Sequence, residues 1–395
     1  MRISLILILS LFSISVHSQE TTENSFGNGL VNHVAQDSTF SIKLGARFQG
    51  LYAADWTTGD GSTQLNGSNF LIRRARIKLD GFAYSPDLRY KLQLGFSNRD
   101  ISGADEFTSR ADRILLDAVL KWNFHGNFDL WGGQTKLPGN REELVSSGSL
   151  QFVDRSLLNS FFGLDRETGV QLYHHFKLGE NFIIREAISV SQGEGRNVTS
   201  GNVGGHHYIG KLEFLPLGEF LDDGEYIGGD LKRHPEPKLA IGTSFSFIDD
   251  AVRGEGNAGD YLYIDDGFFQ SDVTTFFVDA MFKYRGFSFM GEFATREANE
   301  PWVRNSDGTL TGEVIHEGTG LNLQAGYVFS TDIELSGRLT SINNKHTVDE
   351  NQFTLGLSKY IVGHKLKVQT DLSYTVFEDI PQDDLMFRLQ FEIHL

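Results

Sequence analysis

Arg73, Arg74, Arg76 and Lys78 crowd into one short run, Phe70-Leu71-Ile72-Arg73-Arg74-Ala75-Arg76-Ile77-Lys78-Leu79-Asp80-Gly81. On a regular strand, cations packed this densely form a charged wall that must face water. A structural ion-pair ladder with Glu142, Glu143 or Asp154 is the other reading. The two overlap, because a field between an arginine wall and an acidic segment orients polar solutes. A second group of charges of both signs, Arg141, Glu142, Glu143, Asp154 and Arg155, follows Lys136.

Other chemistry finds less support. His174-His175 and His206-His207 are sequence neighbours, and neighbours on a strand point to opposite faces, so neither pair can grip one metal ion. The pairs Asp222-Asp223, Asp249-Asp250, Asp265-Asp266 and Asp383-Asp384 read as solvated loops, with divalent cations bridging lipopolysaccharide as the alternative. With no cysteine there is no disulfide framework, lipoprotein anchor or thiolate site. Neither a nucleophile motif nor a Gly-rich phosphate loop occurs, so no enzyme, cofactor or metal is expected.

The elements that hold these residues read as strands. Phe387, Leu389, Phe391, Ile393 and Leu395 alternate with Arg388, Gln390, Glu392 and His394. Period two with one wholly apolar face is the pattern of a strand between lipid and water. The pattern recurs with Phe40, Ile42, Leu44, Ala46 and Phe48 against Ser41, Lys43, Arg47 and Gln49. It returns with Leu88, Tyr90, Leu92, Leu94 and Phe96 against Arg89, Lys91, Gln93 and Ser97. Ile114, Leu116, Ala118, Leu120 and Trp122 oppose Asp117, Lys121 and Asn123, and Leu366, Val368, Leu372, Tyr374 and Val376 oppose Lys365, Lys367, Gln369, Asp371 and Ser373. Aromatics at strand ends, Tyr52, Trp122, Phe124, Tyr284 and Tyr360, suit the two interfaces of a membrane. Tight connections such as Tyr84-Ser85-Pro86 and Tyr284-Arg285-Gly286 read as periplasmic turns. Long polar stretches at 54–69, 98–111, 191–205, 248–271, 298–318, 342–351 and 378–384 read as extracellular loops. Segment counting gives an antiparallel transmembrane β-barrel of about sixteen strands, with 215–238 hard to parse.

By the same parity Arg74, Arg76, Lys78 and Asp80 face water. Arg73 has outward parity, and a cation facing lipid at mid-depth costs about 2–4 kcal/mol. Arg73 must therefore lie near a rim, be paired, or sit at a bulge that turns it inward.

The ends and the composition agree with a barrel. Residues 1–18, with Arg2, an apolar core and the site Val16-His17-Ser18, read as a cleaved signal peptide for export. Residues 19–38 read as a periplasmic lead-in without periodicity, and 39–395 as the barrel. The net charge of −17 argues against nucleic acid and for acidic loops. No second apolar run is long enough for a spanning helix.

The run Phe70 to Gly81 resembles the signature strand of the phosphate-selective porin O and P family. Gly132-Gly133-Gln134-Thr135-Lys136-Leu137-Pro138, then Phe152-Val153-Asp154-Arg155-Ser156, then Arg166-Glu167-Thr168-Gly169-Val170-Gln171-Leu172 resemble that family's strand, in-folded loop and next strand in the same order. The resemblance covers residues 70–172. It implies a sixteen-stranded, trimeric outer-membrane porin whose third long loop, here about 137–165, folds into the lumen and narrows it. It also implies that Arg73, Arg74 and Arg76, with Lys136, contribute to a positive lining at the narrowing. Lys78, Arg155, Lys43 and Arg47 complete the expected pore-lining, anion-binding set.

The inward parity of the back half offers Asp279, Lys283, Glu292, Arg296, Glu334, Arg338, Lys365 and Lys367, of mixed sign. The expected role is therefore passive diffusion of general anions and small polar solutes rather than phosphate alone, with outer-membrane lipid and lipopolysaccharide as surroundings. The alternatives are a barrel hydrolase of the phospholipase kind, needing a Ser and a His together on the lipid-facing surface, and a structural or adhesive barrel plugged by its loop.

Overall fold

A computed structural model describes residues 26–59, 61–101, 114–199 and 202–395. The signal peptide expected at 1–18, and the lead-in up to residue 25, lie outside the described residues. Sixteen antiparallel strands close into a barrel. In chain order they are Ser41–Gly59, Ser62–Ala83, Ser85–Gly95, Leu115–His125, Phe128–Thr135, Glu167–Leu178, Phe182–Ser191, His207–Leu215, Lys238–Ala251, Ser271–Tyr284, Phe287–Ala298, Gly318–Val328, Ile333–Asn344, Glu350–Val362, Leu366–Phe377 and Asp383–His394. The last strand pairs with the first, from Arg47↔His394 to Thr58↔Asp383. Closure leaves no sheet edge, which is what a bilayer demands, since an unpaired backbone group finds no water there.

Each strand's two faces have opposite surroundings. On Glu350–Val362, Phe353, Leu355 and Leu357 are 54%, 66% and 50% exposed, while Thr354 and Ser358 on the opposite face are buried. On the last strand Leu389 and Phe391 face out, and Gln390 and Glu392 are buried inside. An apolar band of this extent on the outside of a water-soluble protein would drive association; against lipid tails it is the matched surface. Among the described residues no helix is long and apolar enough to cross a membrane.

One rim carries tight turns. At Arg285-Gly286 both residues have positive φ, 47° and 94°, the conformation of a two-residue hairpin, and a Cβ on Gly286 would stand 2.6 Å from the Val328 carbonyl oxygen. The exception on this rim is the connection 216–237, which carries the short helical turn Leu221–Tyr226. Within the expected lead-in, Val31–Val34 pairs with Ser41–Leu44 as a short additional strand.

The first two strands run to 19 and 22 residues and pair as far as Gly59↔Ser62, so residues 54–59 and 62–69 of the stretch expected as a loop are strand. Thr57, Thr58 and Thr63, with Trp56 opposite Leu65, supply the β-branched and aromatic residues that extended backbone favours. Tyr360 is a second correction. It does not join an interfacial girdle; it is buried in the lumen, and its hydroxyl donates to Glu334 at 2.5 Å.

The interior is filled by the segment between Thr135 and Glu167. Leu137, Leu158, Phe162 and Leu164 of that segment form an apolar cluster with Ile209, Phe277, Ala294 and Ile342 of the wall. Fully burying a side chain of this size contributes roughly 1.5–3 kcal/mol, so the contact favours keeping the segment inside the barrel.

Candidate functional site

The site is built where that segment faces the first strands. At Gln49↔Arg74 the pairing is regular, but Gly50 pairs with Ile72, leaving Arg73 as the extra residue of a β-bulge. The bulge turns Arg73 inward beside Arg74. Both are buried, while Ile72 and Phe70 on the outer face are exposed. Two rows on, Arg76 lies directly across from Arg47. Like charges in register are destabilising. Here they share Ser147 of the in-folded segment, whose hydroxyl accepts from Arg47 at 2.8 Å and from Arg76 at 3.3 Å. Arg76 is also paired with Asp100 at 2.6 Å, and Arg47 approaches Glu392 at 3.9 Å.

Asp154 brings several arginines together. One Nη of Arg73 lies 2.6 and 2.7 Å from its two carboxylate oxygens. Arg74 is 3.3 Å away and Arg388 3.5 Å, while Arg338 donates to the Asp154 backbone carbonyl at 2.9 Å. Between this wall and the segment lies a cavity of about 500 Å³. Among the described residues it is lined by ten cationic side chains, including Arg73, Arg74, Arg76, Arg338 and Arg388, and by four carboxylates, Asp100, Glu143, Asp154 and Asp165.

The other expected residues divide. Lys136 and Arg155 line the same cavity, but their charged ends turn back onto their own segment. Lys136 donates to the carbonyls of Glu143 and Val145, and Arg155 to those of Glu142, Glu143 and Val145. These are the open carbonyls at the end of the one-turn helix Arg141–Leu144, where cations are favoured. Lys78 pairs with Asp80 at 2.9 Å and is half exposed, and Lys43 stands across from Asp80 in register. These two lie down the wall towards the short-turn rim.

Sequence reasoning left Lys91, Arg166, Arg196, Arg338 and Arg388 out of the site. The inward parity of Lys91 and Arg388 was legible, whereas Arg196 sits outside regular strands and gave no signal, and Arg166 was marked only as the start of the third family-like block. The mixed charges of the back half also acquire a role. Arg141 is fully buried and bonded to Asp279 at 2.6 Å and Glu213 at 2.8 Å. Glu292 accepts from the Glu142 backbone N–H, Arg296 donates to the carbonyls of Phe161 and Phe162, and Lys367 donates to that of Leu150. Lys283 reaches instead to Ile227 and Gly229 of the connection 216–237. Backbone offers both donors and acceptors, so a wall that grips backbone carries both signs.

The histidine pairs split as strand geometry requires. His174 stacks on Phe128, while His207 is sealed on the inner face with its Nε2 2.7 Å from Ser246 Oγ and its Nδ1 3.4 Å from Glu167. That Ser-His-Glu row is not on the lipid face, and all three residues are buried. Glu167 also accepts from Ser191 and from the N–H groups of Gly193 and Gly195, which makes it a fastening for the following loop. Asp249, Asp250 and Asp272 do gather on the long-loop rim, as exposed or half-buried carboxylates.

The model of the phosphate-selective porin O and P family matches residues 42–219, a stretch that contains the arginine strand and the whole in-folded segment. Over that stretch the chain is similar to that family. No curated protein matches this chain by sequence. Among solved structures it resembles the anion-selective porin from Comamonas acidovorans, with a TM-score of 0.55 at 10% identity over 90% of this chain and 100% of that one. It is similar to OmpF of Salmonella typhi in complex with daunomycin, at 0.54 and 11% over 92% and 100%. It is also similar to the trimer form of OmpT from Vibrio cholerae, at 0.50 and 8% over 90% and 99%. At such identities the likeness is one of fold.

Proposed function

We propose that this porin is an outer-membrane diffusion channel for small polar solutes with a preference for anions, exported by the signal peptide at 1–18 and assembled as a homotrimer. One observation carries the reading: among the described residues, the passage between the wall and segment 136–166 is lined by ten cations and four carboxylates. The protein as a whole is acidic, so this local excess runs against its net charge. Segment 136–166 acts as the constriction loop. Arg73, Arg74 and Arg76 supply the field at the narrowing, Arg47 and Lys78 extend it, and Lys136 and Arg155 hold the loop in shape. A pore must bind weakly enough to release, and here every arginine at the narrowing already has a partner that an anion must share. The trimer form of OmpT, an outer membrane protein of Vibrio cholerae, supports the proposed assembly. The sealed Ser246-His207-Glu167 row, fastened to its loop, weighs against a hydrolase.

The deciding measurement is the reversal potential of the purified protein in a planar bilayer under a potassium chloride gradient. An anion-selective sign that weakens in Arg74→Gln plus Arg76→Gln is expected. A cation-selective sign unaffected by those substitutions would sink the reading, and no conductance would favour a plugged barrel.

A further inference from the structure

The in-folded segment delivers its own anion to the arginine cluster. We propose that the Asp154 carboxylate is a tethered occupant of a carboxylate-binding site at the narrowing, and that small organic carboxylates pass or block the channel by displacing it. The inference rests on the channel reading above and names a class of solute for the same wall.

Three features make Asp154 an occupant and not only a fastening. Its carboxylate has the environment of a bound ligand, with both oxygens within 2.7 Å of Arg73 and with Arg74 and Arg388 at 3.3 and 3.5 Å. Planar guanidinium groups around a planar two-oxygen acceptor are the arrangement that recognises carboxylates. Next, the backbone at this position is held without the carboxylate. The Val153 N–H donates to Asp371, Arg338 donates to the Asp154 carbonyl, and Arg155 is bound to three carbonyls of its own segment. Rotation of one side chain therefore vacates the site while the loop stays in place. Last, the site is open and keeps capacity. The Asp154 side chain is 19% exposed beside the 500 Å³ cavity, and Nε of Arg73 and Nε of Arg338 are buried without a hydrogen-bond partner. Arg388 is kept in position by its two bonds to Asp371, at 2.7 and 3.0 Å, and Arg74 by Gln49 at 2.9 Å, so both await an incoming ligand.

The test is block of the chloride current through single channels by succinate and, separately, by inorganic phosphate, at matched ionic strength. In the wild type succinate is expected to block saturably and at lower concentration than phosphate. Asp154→Asn should lower the half-blocking succinate concentration about ten-fold, the order of one charge-assisted hydrogen bond, and Asp154→Glu should restore wild-type block. Should the asparagine variant fail to insert, Arg73→Gln supplies the second arm, with succinate block weakened by about the same factor. An unchanged half-blocking concentration in an anion-selective channel overturns the tethered occupant alone, as does tighter block by phosphate than by succinate. A cation-selective wild type overturns this inference and the channel reading together.

Discussion

Nε of Arg141 lies 2.6 Å from Oδ1 of Asp279, and neither side chain touches solvent. The pair joins the in-folded segment to the far wall, and Glu213 completes it at 2.8 Å. Removing the cation alone leaves Asp279 to Lys211 at 3.5 Å and Glu213 to Arg185 at 3.1 Å but cuts the segment's own link to the wall, a loss below the about 3–5 kcal/mol of a buried charge left wholly unpaired. Arg141→Met should therefore detach the start of the segment. The expected outcome is a lower unfolding temperature of the barrel in detergent, together with larger and noisier single-channel conductance. Wild-type values for both would show that Arg141 is not the anchor.

A lumen charge and a lipid-facing charge should fail in different ways. Leu355 and Thr354 are neighbours in the middle of one strand, the first 66% exposed to the exterior and the second buried inside. Leu355→Arg places a cation against lipid tails, which costs about 2–4 kcal/mol near mid-depth. It should reduce folding efficiency into vesicles and leave the selectivity of inserted channels alone. Thr354→Lys should insert normally and raise anion selectivity. Equal folding yields for the two variants would contradict the assigned parity.

That parity was the most legible part of the sequence. Leu389 and Phe391 against Gln390 and Glu392 follow from period two alone. A one-residue slip escapes the same reading, because a bulge reverses every later side chain without altering composition. Hence Arg73 could be limited to a rim, a pair or a bulge, and the structure supplies both the bulge and the pair with Asp154. Leu116 shows the same slip. It is the extra residue between Asp117 and Leu115, so a leucine of outward parity is fully buried inside. The back-half charges resisted interpretation for a different reason. Arg296, Lys367 and Glu292 bind loop backbone, and a single sequence does not tell a cation that meets a solute from one that meets a carbonyl.

Ion preference should depend strongly on salt. The wall charges act across water in a cavity of about 500 Å³, and screening shortens their reach from about 10 Å at 0.1 M to about 3 Å at 1 M. The anion-to-cation permeability ratio is expected to be largest in dilute potassium chloride and to approach one in molar salt. A ratio independent of concentration would mean that size, not the arginine wall, selects.

Lys136 and Arg155 give the sharpest separation between a cation that faces solute and one that shapes the loop. Both donate to the carbonyls of Glu143 and Val145, so either can hold that turn when the other is lost. Lys136→Met should then change the reversal potential less than Arg74→Gln, although each removes one positive charge from the same cavity lining. The double variant Lys136→Met plus Arg155→Met should exceed the sum of the single effects on channel noise, because carbonyls at the end of the one-turn helix lose both donors at once. Strict additivity, with each single substitution shifting selectivity as much as Arg74→Gln, would place both side chains among the groups that meet the solute directly.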